Sequence, residues 1–208
     1  MKDETSKIYG LVLAGGQSRR MKALRLRSGQ AEKAALCYHG MPQVQYGFKL
    51  LAAFCAKAFV SVRNDQKDLS EFRRYPQIHD LFESEGPIIG MLSAMKTYPQ
   101  AAWIVLACDL PYVEEKTIAA LVEQRNVSKI ATAFRSPDNE LPEPLCAIYE
   151  PQSQKALLEA LVSGHRSPQK TLANSDIELI TPSNPRWLQN VNSPEEYERA
   201  MAELRGGW

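Results

Sequence analysis

Apolar runs of strand length recur along the chain, and the stretches between them carry apolar residues at helical spacing. The runs predict strands at 8–13, 58–63, 102–107, 129–134 and 144–149. The intervening periodicity predicts helices at 42–55, 87–97, 114–125, 151–163 and 193–204. Pro42, Pro87, Pro151 and Pro194 each stand near a predicted helix start, where a missing N–H leaves no bond unmade. Ser193-Pro194-Glu195-Glu196 has the spacing of a reciprocal cap, a hydroxyl three residues ahead of a glutamate that reaches back. The stretch 135–144, rich in proline and polar residues, reads as a loop between two strands, a hairpin-like excursion over the binding face. Alternation of this kind predicts an α/β fold of three layers, a mostly parallel sheet with helices on both faces.

Composition narrows this picture. The 208 residues fit one domain spanning 1–208, with a short polar segment, 1–7, expected to be flexible. With 25 basic against 24 acidic residues the net charge is +1, so no global field recruits nucleic acid or an anionic membrane. Anion binding must therefore be local. Cys37, Cys55, Cys108 and Cys146 lack the spacing of a zinc site or a disulfide framework and read as reduced core thiols. No apolar signal core follows the first residues and no window is long enough to span a bilayer, which places the protein in the cytoplasm.

Local chemistry concentrates in a few segments. Ile8 to Leu13 runs into Ala14-Gly15-Gly16, a strand ending in paired glycines that lets backbone N–H groups approach an anion. Arg19, Arg20, Lys22, Arg25, Arg27 and Lys33 follow, opposed by Glu32 alone. Directly behind a strand and two glycines this run reads as an anion trap, although a basic loop in solvent has the same composition. A second apolar run, Trp103 to Cys108, ends in Asp109. At the carboxyl end of a parallel strand a single carboxylate suits Mg²⁺, which takes one or two protein oxygens beside phosphate oxygens and water. The same aspartate before Pro111 also fits a turn or helix cap. Asp80 closes the short run Ile78-His79 and could hold a sugar hydroxyl or a metal-bound water, or serve its loop. Asn190 and Asn192 offer two amides on one side of an extended segment, suited to hydrogen bonding and equally to turning the chain.

Other chemistries lack their parts. No serine sits in a Gly-x-Ser-x-Gly elbow, and His39, His79 and His165 show no partners in sequence and read as surface or loop residues. The glycine segment fits neither the dinucleotide fingerprint nor the Walker A loop.

Taken together, LAGGQSRRM, EKAALCYHGMPQ, IHD with SEGPIIGMLSAM, LACDLPYV, LPEPLCAIYEP and NVNSPEE resemble, in order, the molybdenum cofactor guanylyltransferase family from about Tyr9 to Glu196. The resemblance implies a Rossmann-like sheet of the nucleotide-diphospho-sugar transferase type. It also implies an enzyme that joins GMP from GTP to molybdopterin, uses Mg²⁺, releases pyrophosphate and makes transient contact with other proteins of that biosynthesis. Position by position, the family's nucleotide loop falls on Leu13, Ala14, Gly15 and Gly16, its phosphate-binding lysine on Lys33, and its guanosine aspartate on Asp80. Its magnesium aspartate falls on Asp109, and its pterin-side amides on Asn190 and Asn192. Lys33, Arg19 and Asp109 would then carry catalysis. Gly15 resembles the guanine-using branch, whereas Glu143-Pro144-Leu145 departs from the family's Thr-Pro-Leu. The segment 22–32 stands as an insertion in the phosphate loop, and it leaves both Lys22 and Lys33 able to present the ammonium. A related nucleotidyltransferase using CTP or another acceptor, and a GTP-binding relative without turnover, stay open on the sequence.

Overall fold

The computed structural model describes residues 6–15 and 33–205. Its centre is a seven-stranded sheet in the order β3-β2-β1-β4-β6-β5-β7. The strands are β1 (Ile8–Leu13), β2 (Lys57–Val62), β3 (Gln77–His79), β4 (Ala102–Ala107), β5 (Ala131–Arg135), β6 (Pro142–Tyr149) and β7 (Glu178–Ile180). Every neighbouring pair is parallel except those involving β6, which runs against both β4 and β5. Among the described residues five helices cover the sheet, α1 (Gln43–Phe54), α2 (Pro87–Thr97), α3 (Glu115–Glu123), α4 (Ser153–Val162) and α5 (Pro168–Ala173), and a sixth, α6 (Pro194–Arg205), stands off it.

Strand periodicity sorts the core into two layers. Val12, Val60, Ile104, Leu106 and Ile148 point to one face and meet Leu50 and Leu51 of α1 and Ile118 and Leu121 of α3. Leu11, Phe59, Trp103, Val105 and Tyr149 point to the other and meet Ile88, Ile89, Met91 and Leu92 of α2, Leu157 of α4 and Leu172 of α5. Each such side chain contributes roughly 1.5–3 kcal/mol by leaving water. The three-layer α/β arrangement is the one that the alternation of elements predicts. α1 lies so close to β1 that a Cβ on Gly10 would stand 2.8 Å from the Cβ of Leu51. α6 packs away from the sheet, with Ala200 against Leu36, Tyr38, Tyr112 and Val191. Its cap is reciprocal, as the sequence predicts: the Glu196 N–H donates to Ser193 Oγ at 3.2 Å and the Ser193 N–H to Glu196 Oε2 at 3.1 Å.

Three elements go beyond the sequence reading. β3 and β7, each three residues long, pair at the outer edges of the sheet, and α5 fills the approach to β7. The expected hairpin joins β5 to β6, but β6 begins at Pro142, two residues before the predicted strand. The cysteines divide: Cys108 and Cys146 are buried, Cys55 is half-buried and Cys37 is exposed, so the expectation of four core thiols fails at Cys37. No helix among the described residues is long and apolar enough to cross a membrane.

At the amino-terminal rim of the sheet Arg125 is clamped by Glu150, with Nε to Oε1 at 2.6 Å and Nη2 to Oε2 at 2.8 Å. The same guanidinium donates to the Ser6 hydroxyl and carbonyl, tying the entry of β1 to the exits of α3 and β6.

Candidate active site

β1 and β4 lie side by side with Leu13 opposite Ala107, and each chain continues two residues further, to Gly15 and to Asp109. The strand order reverses between them, because the chain leaves β1 toward β2 and returns to the other side as β4. In an open parallel sheet such a point leaves a crevice at the carboxyl ends of the strands. Here a cleft of about 480 Å³ opens there, and Leu13, Ala14, Gly15, Asp80 and Asp109 all line it. Five sequence-predicted positions, drawn from three parts of the chain, thus meet at one rim.

Each wall has a physical origin. The strand β1 ends at Leu13, but the Ala14 N–H still donates to the Ser61 carbonyl at 3.2 Å, so the backbone stays against β2 as far as the glycine. Arg63, just past β2, donates from Nη1 to the Gly15 carbonyl, while Nε and Nη2 grip Asp65 at 3.0 Å each. Gly86, the cap residue of α2, and Pro87, its first residue, also line the cleft, so the positive end of that helix meets it. Asp80 lies beside them, with its carbonyl accepting from Asn64 Nδ2 at 3.2 Å. Partial burial pushes its carboxyl above the usual carboxylate range, the nearby Arg63 guanidinium pulls it down and Asp65 adds to the rise.

Opposite β1 the antiparallel β6 brings its first residues to the same rim. The β4–β6 ladder ends at Leu106 and Cys146, three residues from Asp109 on one strand and from Glu143 on the other, and the two carboxyl groups lie close enough to interact. Leu145, two residues beyond Glu143 and therefore on the same face, lines the cleft. Glu143 is 8 % exposed, its Oε1 accepts the Leu145 N–H at 2.9 Å, and burial, with Asp109 and Asp138 near it, pushes its carboxyl up to about 7.

Asn190 and Asn192 do not line the cleft but flank it. Val191 between them is buried and donates its N–H to the Asp109 carbonyl at 2.9 Å, which ties the segment to the turn after Asp109. Gly16, Arg19, Lys22 and the segment 22–32, expected from sequence to be an insertion, lie outside the described residues, as does the side chain of Lys33, whose backbone opens a 3₁₀ turn, Lys33–Ala35. Ser61 and Arg63 are the wall residues that sequence reasoning missed. A charged residue ending an apolar strand was the available signal, the one that exposes Asp109. The larger hollow, about 900 Å³, at the opposite rim is lined by Lys7, Tyr98 and Gln152, and its carboxylate, Glu150, is already held by Arg125.

A three-layer α/β sheet whose reversal point gathers a glycine at a strand end, a helix amino terminus and a strand-end carboxylate marks a nucleotide-binding protein. The chain belongs to the MobA-like NTP transferase family, whose domain model matches residues 10–179. A Synechocystis relative called molybdenum cofactor biosynthesis bifunctional protein is 37% identical over 190 residues, covering 91% of this chain and 52% of its own length. The chain thus spans about half of that relative. A Bacillus cereus relative called probable molybdenum cofactor guanylyltransferase is 29% identical over 207 residues, covering 96% of this chain and 98% of the relative. Among solved structures, molybdopterin-guanine dinucleotide biosynthesis protein A from Archaeoglobus fulgidus superposes with a TM-score of 0.76 over 95% of this chain and 99% of that one, at 21% identity.

Proposed function

We propose that the protein transfers GMP from GTP to molybdopterin with release of pyrophosphate. The observation that carries this reading is the meeting of Gly15 and Asp109 at one cleft, in register on neighbouring strands. In that reaction a phosphate oxygen of the acceptor bonds to the α-phosphorus of GTP. The bond from that phosphorus to the bridging oxygen breaks, and pyrophosphate leaves with the electron pair. The acceptor phosphate is already anionic near neutral pH, so the protein's task is to position two anions and offset their charge.

The donor set at the rim suits a divalent cation of the Mg²⁺ kind. Asp109 supplies a hard carboxylate oxygen with Glu143 near it, and no group of three or more His, Cys, Asp or Glu side chains forms a closed cage among the described residues. Mg²⁺ takes few protein ligands and fills the rest with water and phosphate oxygens. Asp109 would hold it, and when bound it would offset charge on the triphosphate.

The chain's own groups divide the remaining work. Backbone N–H groups at Gly15 and Gly16 receive phosphate oxygens, and Lys33 and Arg19 place positive charge on the departing pyrophosphate. The start of α2 and Asp80 face the nucleoside, with Asp80 toward the ribose. Asn190 and Asn192, set beyond Asp109 by the Val191 bond, face the pterin. On this reading the protein works in the cytoplasm. The names of the Bacillus and Archaeoglobus relatives support GTP and molybdopterin as the pair.

The test is to incubate the protein with molybdopterin, Mg²⁺ and each of the four nucleoside triphosphates, and to measure pyrophosphate. GTP alone should give rapid release, and Asp109→Asn should lower it by about a hundredfold or more. Equal release from CTP, or none from any triphosphate, would refute the reading.

A further inference from the structure

The turn that follows Asp109 is held by side chains from the segment that follows Lys33. Cys37 and Pro42 form an antiparallel bridge, and Gly40, with φ of +70°, closes the tight turn between them. His39 sits at the tip of that turn. Its ring stacks on Tyr46 of α1, with centroids 3.8 Å apart and planes 16° from parallel. Its Nε2 lies 2.8 Å from the carbonyl of Pro111, two residues beyond Asp109. A carbonyl only accepts, so Nε2 carries the proton. Partial burial lowers the affinity of the ring for a second proton, and the bond to Pro111 opposes that.

Two neighbours extend the grip. Tyr46 donates its hydroxyl to the Val113 carbonyl at 3.0 Å, and Gln43 reaches the Leu110 carbonyl with Nε2 at 3.4 Å. From the other side the Val191 N–H holds the Asp109 carbonyl at 2.9 Å. Carbonyls of the 109–113 turn are therefore held from two directions. One is the stretch leading from Lys33, and the other is the stretch carrying Asn190 and Asn192. Both stretches meet in the backbone of this turn.

We propose that His39 is a positioning residue that sets the Asp109 carboxylate relative to the phosphate-loop segment, acting through the Pro111 carbonyl. The inference rests on the nucleotidyl-transfer reading. Its chemistry is specific to the donor on the ring: a side chain with the same shape and no N–H keeps the stack on Tyr46 and lets the turn drift. Drift of about an ångström at a charge-stabilising group costs on the order of a hundredfold in rate.

The experiment compares His39→Phe, which keeps a flat ring against Tyr46 and removes the donor, with His39→Gln, which restores an N–H at similar reach. Turnover, KM for GTP and the Mg²⁺ concentration for half-maximal rate are measured on the full chain. Mn²⁺ binding is followed by electron paramagnetic resonance with GTP present and no acceptor. His39→Phe should lower kcat by about tenfold to a hundredfold and raise the Mg²⁺ and Mn²⁺ requirement, with KM for GTP little changed. His39→Gln should recover most of both. Wild-type turnover and metal response in His39→Phe would overturn the proposal, as would an equal loss in both variants that follows their thermal midpoints. If the wild-type chain releases no pyrophosphate, the transfer reading fails by itself. The Mn²⁺ arm then decides this one: weaker binding in His39→Phe alone supports it, and equal binding in all three proteins overturns it.

Discussion

Glu143 is the carboxyl group whose environment matters most near neutral pH. Its folded value of about 7 lies well above the ordinary 4.5, chiefly because burial penalises the charged form. Below pH 4.5 both the folded and unfolded chains carry the proton and the site costs nothing. Between 4.5 and 7 the unfolded chain ionises first, so stability falls as pH rises and levels off above the folded value. The whole difference is about 3 kcal/mol. Glu143→Gln keeps the oxygen that accepts from the Leu145 N–H and removes the charge. In metal-free buffer it should be more stable than the parent by about 2–3 kcal/mol at pH 8 and nearly equal to it at pH 4.5. Denaturant unfolding at the two pH values reads this directly, and a gain of the same size at both would contradict it.

At the scale of elements, the contact of α1 with β1 has no slack. A methyl at position 10 would stand 2.8 Å from the Leu51 Cβ and 3.3 Å from the Cys55 sulfur, and a Cβ has no rotamer by which to move aside. Gly10→Ala should therefore push the helix off the sheet and cost about 1–3 kcal/mol, visible as a lower denaturation midpoint with an unchanged slope. Elements with long apolar runs were legible in sequence: β1 and β4 are predicted residue for residue, and β2 to within one position, because burial on both faces leaves an uninterrupted apolar signature. β3 and β7 were not. A three-residue strand at a sheet edge shows too short a run to carry a period, and its pairing is decided by neighbours far along the chain. The same limit separates Asp109 from His39. Asp109 ends its own strand and announces itself, whereas His39 finds its acceptor 72 residues away, at a carbonyl that has no side-chain signature.

Taken whole, the molecule assigns its two rims to different work. The carboxyl rim gathers the cleft, and the amino rim carries the Arg125–Glu150 pair, whose side chains are 8% and 2% exposed. Removing one partner of a shielded ion pair leaves the other charge without compensation, at a cost of about 3–5 kcal/mol. Arg125→Ala should thus lower the thermal midpoint by about 10 °C. Turnover measured well below that midpoint should match the parent, since the guanidinium stands at the far end of the strands from Asp109. A matching loss of turnover at low temperature would show that the rims are coupled.

The reversed direction of β6 has a consequence for how this architecture could diversify. Parallel strands deliver only their exits to the ligand side, but a strand running the other way delivers its entrance, and with it the turn 136–141 that joins it to β5. That turn leaves the sheet at the same end as the crevice, yet none of its residues lines it. Lengthening or recolouring it would redraw the outline presented to an incoming acceptor and leave the nucleotide half untouched, so new acceptor preferences have a place to arise without dismantling the old chemistry.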